Sequence, residues 1–417
     1  MKTICVITQS VYDSDPRVRR KAEALSASGY DVDALALRAY GGKAAYDLGG
    51  VHVRTCPLGK ERGSLLRYAF EYAAFFLWAC VRVTIQTWRR RYVVVDVNTL
   101  PDFLIFAGIF ARWMGARLVL DMHEITPEFY MSKYGIGENS PAIRLLRYFE
   151  RISFRFADRV VTVNVPILNL LCARGLDPAK TTVMVNAADE ARFSGAISAA
   201  KAQHGDDTSK FVMMYHGTLT KIYGLDIAIE AFAQVHEEMV GAELWILGSG
   251  PEAGALNELV GKLGLESKVR LVGQVQSSSI PEWLTRCDIG ILPIRRDVFL
   301  DFAFPNKLPE FIIMGKTVIV SRLKAIEYYF SDDALAYFEP NSILDLSVQM
   351  LRVYRDRELR NRLAELARKE NEGICWDRMK ARYRDLVDGL SDGRDKIGKS
   401  EADRAALRPV KKESDTL

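Results

Sequence analysis

Residues 301–321, DFAFPNKLPEFIIMGKTVIVS, contain the clearest signature of an α/β fold in this chain. A helical pattern runs through its middle and ends at Gly315, and the apolar run TVIV (317–320) follows as a buried strand. Lys307 and Glu310 are three residues apart in the helical part, so both side chains lie on one face. The stretch therefore predicts a helix that leads into a strand of an α/β domain and begins with a cation and a carboxylate.

The alternation of strand and helix continues on both sides of this stretch. Most of the apolar runs are continuous, which is typical of strands covered by helices on both faces, so we expect parallel sheets. Amphipathic helices, such as 16–29 and 225–239, lie between them. Two successive series of this kind predict two Rossmann-like, doubly wound domains. The predicted strands are 3–8, 31–37, 93–97, 117–121, 159–163, 181–185, 211–217, 243–248, 269–273, 288–293, 317–320 and 334–338.

The length supports a division into two domains, because single cores stop growing near about 250–300 residues and this chain has 417. Residues 1–193 form the predicted N-terminal domain, and the polar segment 194–210 is the predicted linker. Residues 211–360 form the C-terminal domain, and the helical segment 361–390 is expected to pack back toward the N-terminal domain. The charged segment 391–417 has few apolar residues and predicts a disordered tail.

The composition excludes several classes of protein. A net charge of +4 on 417 residues argues against a dedicated nucleic-acid binder. The six cysteines contain no CxxC pair, so they indicate neither a zinc site nor a disulfide framework. The N-terminal stretch turns polar after eight residues, which predicts no signal peptide. We therefore expect a cytoplasmic protein.

The segment FEYAAFFLWACVRVTIQTWRRRY, residues 70–92, allows two interpretations. Its uncharged run between Glu71 and Arg82 is too short to span a bilayer, which needs about 20 residues. A buried helix of the α/β domain is one interpretation. The other is a helix that lies on the membrane surface, with its aromatic residues in the interface and Arg89–Arg91 near anionic lipid.

The acidic triplet DSD, residues 13–15, raises the question of a metal site. Asp15 precedes Pro16 and a long helical pattern, and Asp at the N-cap with Pro at the first helical position starts helices. A helix cap is therefore the favoured interpretation over a metal-binding pair. A hydrogen bond from Asp13 to a substrate stays open.

Basic residues follow the triplet at the start of the same helix: Arg17, Arg19, Arg20 and Lys21. Cations at a helix N-terminus oppose the helix dipole, which hints at an anion nearby. A solvated basic face explains the same residues. We take Arg17 and Arg20 as candidate acceptor-binding residues.

The pair Lys307 and Glu310 also allows two interpretations. A carboxylate at this edge of a sheet can accept hydrogen bonds from both hydroxyls of a ribose, and an ammonium can neutralise a diphosphate. The alternative is a salt bridge between neighbours on a helix, worth about 0.2–0.5 kcal/mol. The spacing alone does not decide between them.

Several motifs in order nevertheless resemble those of family-four glycosyltransferases with the GT-B fold, and the likeness extends from residue 1 to about residue 390. The resemblance implies a nucleotide-sugar on the C-terminal domain, an acceptor on the N-terminal domain, and transfer at the cleft between them with retention of configuration and without a metal. The motifs are FPNKLPEFIIMGKTVIVS, SDPRVRRKAEALSASGYDV, NTLPDFLIFAGIFARWMGARLVLDMHEITPEF, MYHGTLTKIYGLDIAIEAF, LWILGSGPE and CDIGILPI.

The resemblance assigns the donor site residue by residue. Glu310 matches the glutamate that holds the ribose. Phe302 stands where the family usually has a second glutamate near the donor sugar, so Asp301 and Asn306 are the candidate substitutes.

The stretch HGTLTKIYG (216–224) also departs from the family pattern, because Thr218 and Tyr223 replace an arginine and a lysine. Lys221 is the candidate that neutralises the diphosphate together with Lys307, where charge develops in the transition state.

Glycines and one histidine complete the predicted site. Gly217, Gly248 and Gly250 allow the backbone to approach the nucleotide, and backbone contacts around Gly273–Val275 are expected to select the base. His123 matches the histidine near the donor sugar, where it would position a hydroxyl and shield the oxocarbenium-like centre; Asp121 and Glu124 are the candidates that orient its ring.

The sequence thus predicts a retaining glycosyltransferase that uses a UDP- or GDP-sugar and no cofactor or metal. The expected acceptor is a glycan, carried on a polyprenyl diphosphate. The protein is expected to be cytoplasmic, and peripheral attachment to the inner face of the membrane stays open. Two other classes stay open: a nucleotide-sugar epimerase with the GT-B fold, and a non-catalytic scaffold.

Overall fold

The computed structural model describes residues 1–58, 65–202 and 210–393. The chain divides into two compact units. The first unit contains Met1–Asn186 and the described residues from Arg378 onward, and the second contains Ala187–Asp377.

The first unit is built on a sheet of eight strands in the order β3-β4-β2-β1-β5-β6-β7-β8. All neighbours are parallel except β3 and β4, which pair antiparallel at the edge. Strands β3 and β4 were not predicted, because their residues alternate in burial and form no continuous apolar run. The strands are β1 (Thr3–Val11), β2 (Asp31–Leu37), β3 (Ala45–Leu48), β4 (Val51–Cys56), β5 (Tyr92–Asn98), β6 (Arg117–Met122), β7 (Arg159–Thr162) and β8 (Thr181–Val183).

The first helix begins where the acidic triplet predicted. The Asp15 carboxylate accepts hydrogen bonds from the backbone N–H groups of Arg17 and Val18, and Pro16 occupies the first turn. The interpretation of Asp15 as a cap is confirmed. A 3-10 segment, Asp102–Gly108, precedes α3. The helices of the first unit before its return segment are α1 (Pro16–Ala27), α2 (Leu65–Arg90), α3 (Ile109–Trp113), α4 (Thr126–Tyr134), α5 (Pro141–Phe156) and α6 (Val165–Ala173).

The second unit has a six-stranded, fully parallel sheet in the order β11-β10-β9-β12-β13-β14. Numbered within the unit this is the order 3-2-1-4-5-6 of a doubly wound fold, in which ligands bind at the carboxyl ends of the strands, near the point where the order reverses. That point lies between β9 and β12. The strands are β9 (Phe211–His216), β10 (Ala242–Leu247), β11 (Val269–Gly273), β12 (Ile289–Leu292), β13 (Thr317–Ser321) and β14 (Ala336–Phe338).

Helices connect these strands and close the chain. They are α7 (Ser194–Ala202), α8 (Leu225–Val235), α9 (Ala253–Lys262), α10 (Ile280–Thr285), α11 (Lys307–Ile313), α12 (Lys324–Glu327), α13 (Ile343–Arg355), α14 (Arg357–Asn371) and α15 (Trp376–Ser391). The two doubly wound α/β domains agree with the predicted fold class.

The boundaries between the units differ from the predicted boundaries in two places. The first part of the expected linker forms α7. Helix α14 packs against α11 and β13 of the second unit, and only the chain from Arg378 onward returns to the first unit. The spacing of apolar residues in a sequence shows that a helix has a buried face, but it does not show which sheet that face packs against. The predicted disordered tail, beyond residue 393, lies outside the described residues.

Candidate functional site

Three glycines lie at the carboxyl ends of neighbouring strands in the second unit. The N–H of Gly217 donates to the carbonyl of Leu247 (2.8 Å), and the N–H of Gly248 donates to the carbonyl of Gly273 (2.8 Å). Gly217 and Gly248 have φ of +132° and +142°, and a Cβ on Gly248 would overlap the carbonyl oxygen of Gly217. Only glycine fits this close backbone stack.

Gly250 continues the same stack, since a Cβ there would overlap the carbonyl oxygen of Leu219. Gly273 has open space beside it, and Val275 is half-buried two residues further along. The predicted base-selecting segment therefore borders the glycine stack.

Lys307 begins α11 and lies against this stack. A Cβ on Gly217 would overlap the lysine side chain, and the ammonium lies 4.2 Å from the ring centroid of Tyr223 and 5.3 Å from that of Tyr215. Burial lowers the pKa of Lys307 to about 8, against the opposing effect of Glu310. The structure thus holds a cation in a poorly hydrated place where an anion would stabilise it.

Glu310 lies one turn further along α11, with one carboxylate oxygen 3.4 Å from Nε2 of His216. Burial and the charge of Lys307 lower the pKa of His216 to about 3, so the imidazole is neutral. The Glu310 side chain keeps 18% of its surface exposed. A neutral imidazole leaves this carboxylate its charge and its capacity to accept hydrogen bonds from hydroxyls.

The two candidate substitutes for the missing glutamate differ in their surroundings. The carboxylate of Asp301 accepts from the backbone N–H of Lys324 (3.2 Å) and pairs with its ammonium (2.9 Å), and Arg296 lies 3.5 Å away. Asn306 has a buried Oδ1 with no hydrogen-bond partner in the described structure. Buried oxygens are seldom left unpaired, so Asn306 is the better placed of the two to bind a ligand.

Lys221 is on an exposed 3-10 turn, Lys221–Tyr223, and Arg295 forms a hydrogen bond with the backbone of this turn. Arg295 donates from Nε to the carbonyl of Lys221 (3.0 Å) and pairs with Asp226. The turn leads through Gly224 into α8. The structure therefore anchors the backbone at Lys221 and leaves its side chain in solvent.

The first unit holds a second polar cluster at the carboxyl ends of β5 and β6. Lys21 of α1 is buried, forms an ion pair with Asp121, lies 3.5 Å from Asp96 and donates to Oδ1 of Asn98 (3.0 Å). Lys21 therefore does not belong to a solvated basic face. It shares the buried face of α1 with apolar residues at helical spacing (Val18, Ala22 and Leu25), and this spacing is the signal that could have revealed its position.

His123 is bound to the same cluster. Its Nε2 lies 2.8 Å from Oδ1 of Asn98, whose Nδ2 donates to the carbonyl of Ile7. Because that Oδ1 is an acceptor, Nε2 carries the proton, and Nδ1, which has no hydrogen-bond partner in the described structure, remains an acceptor. Burial first, then Arg17 and Lys21, lower the pKa of His123 well below its usual value.

Asn98 is thus the group that orients His123, and it was not among the predicted site residues. Nδ1 lies 3.8 Å from a carboxylate oxygen of Asp121, and no contact places Glu124 beside the ring in the described chain. Arg17 is close enough to affect the pKa of His123, whereas Arg20 donates to the carbonyl of Pro16 (3.1 Å).

Within residues 1–58, 65–202 and 210–393, no group of three or more His, Cys, Asp or Glu residues is arranged to hold a metal ion. No helix among them is both long and apolar enough to cross a membrane.

Comparison with known proteins places both units in described families. Residues 14–187 match the model of the glycosyl transferase 4-like domain, and residues 210–356 match the model of glycosyl transferases group 1.

Curated relatives are distant. The chain is 24% identical over 180 residues to N-acetyl-alpha-D-glucosaminyl L-malate synthase of Bacillus anthracis, covering 42% of this chain and 44% of the relative. It is 23% identical over 294 residues to one chain of the phosphatidylinositol N-acetylglucosaminyltransferase of Arabidopsis thaliana, covering 67% of this chain and 60% of the relative. The chain thus spans about half the length of these curated relatives.

Solved structures show the fold more fully. Sucrose-phosphate synthase from Thermosynechococcus elongatus superposes with a TM-score of 0.75 at 16% identity, covering 94% of this chain and all of that one. Anabaena HepE in complex with UDP-glucose superposes with a TM-score of 0.67 at 15% identity, covering 93% of this chain and all of that one. The fold is GT-B.

Proposed function

The chain belongs to the glycosyltransferases that join a glycosyl transferase 4-like domain to a group 1 domain, and we propose that it transfers a sugar from a UDP- or GDP-sugar to a glycan acceptor. The donor is bound by the second unit. The acceptor is bound by the first unit, with Arg17 and Arg20 near its anionic group.

One observation carries the proposal: Lys307, a half-buried cation whose pKa is lowered by desolvation, lies against the glycine stack at the carboxyl edge of the second sheet, with Glu310 one turn away. A nucleoside diphosphate needs a cation for its phosphates and hydroxyl acceptors for its ribose. Lys307 supplies the first and Glu310 the second. The backbone at Gly217 and Gly248 can approach the phosphates because no Cβ intervenes.

The remaining residues receive roles in the same reaction. Lys221 reaches the diphosphate from its exposed turn, and Asn306 binds a hydroxyl of the donor sugar through its unpaired Oδ1. His123 accepts a hydrogen bond from a sugar hydroxyl at Nδ1. Two lysines at the leaving diphosphate stabilise the charge that develops as the glycosidic bond breaks.

We further propose that transfer retains the anomeric configuration and needs no metal. The acceptor attacks the face from which the nucleotide leaves, and a phosphate oxygen of the leaving group takes the acceptor's proton. No nucleophile from the protein takes part. The acceptor proposed is a glycan carried on a polyprenyl diphosphate.

A thermal-shift screen of UDP, GDP, ADP and TDP in the presence of EDTA tests the donor site. A nucleotide present at a hundred times its Kd stabilises by about 2.7 kcal/mol, or roughly 5–10 °C for a unit of this size. We expect one nucleotide to do so with the wild type and not with Glu310→Ala. The exposed Glu282→Ala, on the same unit, is the matched control and should respond as the wild type does.

The two open alternatives give different results in the same assays. An epimerase consumes the nucleotide-sugar when no acceptor is present, which product analysis detects. A scaffold shows no shift with any nucleotide, and that outcome would overturn the proposed donor site.

A further inference from the structure

Helix α2 of the first unit is apolar on two sides. One side is fully buried and contains Phe75, Ala79 and Val83. The other side is a stripe of large apolar residues, spaced by seven, four, four and three positions, which places them along one exposed face. These are Phe70, Leu77, Val81, Ile85 and Trp88, with 68, 64, 57, 40 and 72% of their surfaces exposed. We call this stripe the α2 face.

A surface helix of a globular protein normally presents polar residues to water, and a helix that is apolar all round is normally covered. The α2 face extends for about 27 Å at 1.5 Å per residue. An exposed apolar surface of this kind marks a binding site for another molecule or a membrane.

Two helices near α2 also carry exposed aromatic residues. Helices α2, α3 and α5 all contact the 3-10 segment Asp102–Gly108. Trp113 of α3 is 77% exposed and Tyr148 of α5 is 58% exposed. Tryptophan and tyrosine are the residues enriched where a membrane meets water.

The net charge of these three helices is positive. Their sequences contain nine arginines and two glutamates, Glu71 and Glu150. Both glutamates are buried. Arg89 and Arg91 are exposed beside Trp88 at the end of α2. The surface is therefore suited to an anionic partner.

An apolar cavity of about 400 Å³ opens beside the α2 face, lined by Tyr72, Ala73, Phe76, Leu77 and Phe103. Leu77 belongs to both the cavity wall and the stripe. The volume falls within the range of ligand pockets, about 300–1,000 Å³, and the wall offers hydrocarbon almost throughout. Such a cavity suits a hydrocarbon chain.

We propose that the α2 face docks this chain on an anionic lipid bilayer, with the stripe in the interface and the end of one lipid chain in the cavity. A bilayer supplies both the apolar phase and the negative charge that this surface requires. A second copy of the chain would instead bring arginines against arginines. Bilayer binding deepens the proposed function, since it brings a lipid-linked acceptor to the first unit, but it requires no nucleotide and is measured without one.

Co-sedimentation of the full chain with vesicles tests the proposal. We expect binding to vesicles of phosphatidylcholine with phosphatidylglycerol, weaker binding to phosphatidylcholine alone, and release by salt. The double variant Leu77→Asp/Trp88→Asp should lose binding. Arg89→Glu/Arg91→Glu should bind about 20-fold more weakly or worse, because each basic residue at an anionic surface contributes about a fivefold factor.

Matched controls lie on the second unit. Leu344 is 69% exposed and Arg357 is exposed, so Leu344→Asp and Arg357→Glu repeat the same changes elsewhere and should bind vesicles as the wild type does. Circular dichroism and the nucleotide thermal shift should be unchanged in every variant, because the substituted side chains are exposed.

A depth measurement adds an independent test. Brominated acyl chains should quench the tryptophan fluorescence of the wild type, and they should quench less in Trp88→Phe. Failure of the wild type to bind anionic vesicles would overturn the proposal. Normal binding by Leu77→Asp/Trp88→Asp would overturn it as well. A concentration-dependent dimer that Leu77→Asp/Trp88→Asp abolishes, without vesicle binding, would identify a second copy as the occupant.

Discussion

Lys307 carries a positive charge among aromatic rings and backbone atoms. Its pKa, lowered to about 8, reflects the cost of removing an ammonium from water, which the charge of Glu310 offsets only in part. A bound diphosphate would supply the missing negative charge. Binding of a diphosphate would relieve this electrostatic penalty and so strengthen its own binding; perturbed pKa values of this kind are common at functional sites.

The titration of Lys307 predicts a pH dependence of nucleotide binding. Above about pH 8 the free site loses its proton, so the Kd for the nucleotide selected by thermal shift should rise about tenfold between about pH 7 and pH 9. Lys307→Gln should bind more weakly and show no such rise. Isothermal titration calorimetry at several pH values measures the Kd of the wild type and of Lys307→Gln. An equal dependence of the two Kd values on pH would contradict the assignment of Lys307 to the phosphates.

Gly248 allows a test of the backbone stack. Gly248→Ala places a methyl group against the carbonyl oxygen of Gly217 at a φ that L-residues rarely adopt, so the stack must move. We expect a loss of roughly 1–3 kcal/mol of unfolding free energy and no thermal shift with nucleotide.

Gly264→Ala is the control for this substitution. Gly264 also has a positive φ, +66°, but a Cβ there has open space around it. The control should lose some stability and keep its response to nucleotide. If the two variants lost the same unfolding free energy and responded to nucleotide alike, the loss of stability would come from the positive φ and not from disruption of the backbone stack.

Residue types and spacing predicted which residues share a face, but not every contact that their side chains make. Lys307 and Glu310 share a face, as their spacing required. Asp301 and Asn306 were both candidate substitutes for the missing glutamate, and the structure pairs Asp301 with Lys324, a residue 23 positions away. Such a partner depends on the path of the chain after β13, and local spacing contains no information about it.

At the scale of elements, α5 and the 3-10 segment Asp102–Gly108 enclose a buried acidic pair. Burial first, then Asp102, raise the pKa of Glu150 to about 8, although Arg174 lies 3.5 Å away. Burial also raises the pKa of Asp102 to about 7. The first unit therefore takes up protons on folding at neutral pH.

This uptake predicts how stability varies with pH. A carboxyl group whose pKa is raised in the folded state stabilises below its unfolded pKa, and this contribution is lost as pH rises toward the folded value. Between about pH 5 and pH 8, Glu150→Gln should therefore become progressively more stable than the wild type. The difference grows by at most about 1.4 kcal/mol per pH unit.

Urea denaturation at several pH values measures the difference. Glu138, exposed on the same unit, has a pKa lowered by Arg147, so Glu138→Gln should show no gain with rising pH. A stability difference between Glu150→Gln and the wild type that stays constant over this window would contradict the prediction.

The elements themselves were predictable to different degrees. Strands buried on both faces appeared as continuous apolar runs, and all twelve of the predicted runs contain strands. The hairpin of β3 and β4 was missed, because it turns at Gly49–Gly50 on the edge of the sheet and its residues alternate between core and solvent. A period-two alternation is a weaker signal than a continuous apolar run, and it alone marked these two strands in the sequence.

At the scale of the molecule, the last described segment of the chain, from Arg378 onward, completes the core of the first unit. Met379, Tyr383 and Leu386 of α15 are buried in that unit, and the Tyr383 hydroxyl donates to Asp96 in the cluster that holds Lys21. The polar cluster beside His123 thus depends on a helix more than 250 positions further along the chain. Sequence patterns predicted a helical segment here, but they could not show that α14 belongs to the second unit and most of α15 to the first.

Two truncations test this dependence. Ending the chain after Asp377 removes the buried face of α15 and leaves Asp96 without its tyrosine, so the first unit should lose its cooperative unfolding and bind a hydrophobic dye. Ending it after Gly393 removes only the predicted disordered tail and should change neither property. Calorimetry and dye fluorescence measure both. In each truncated chain the second unit keeps Gly217, Gly248 and Lys307, so nucleotide should still bind. A stable first unit without α15 would contradict the division of the chain, because its core would then be complete before residue 378.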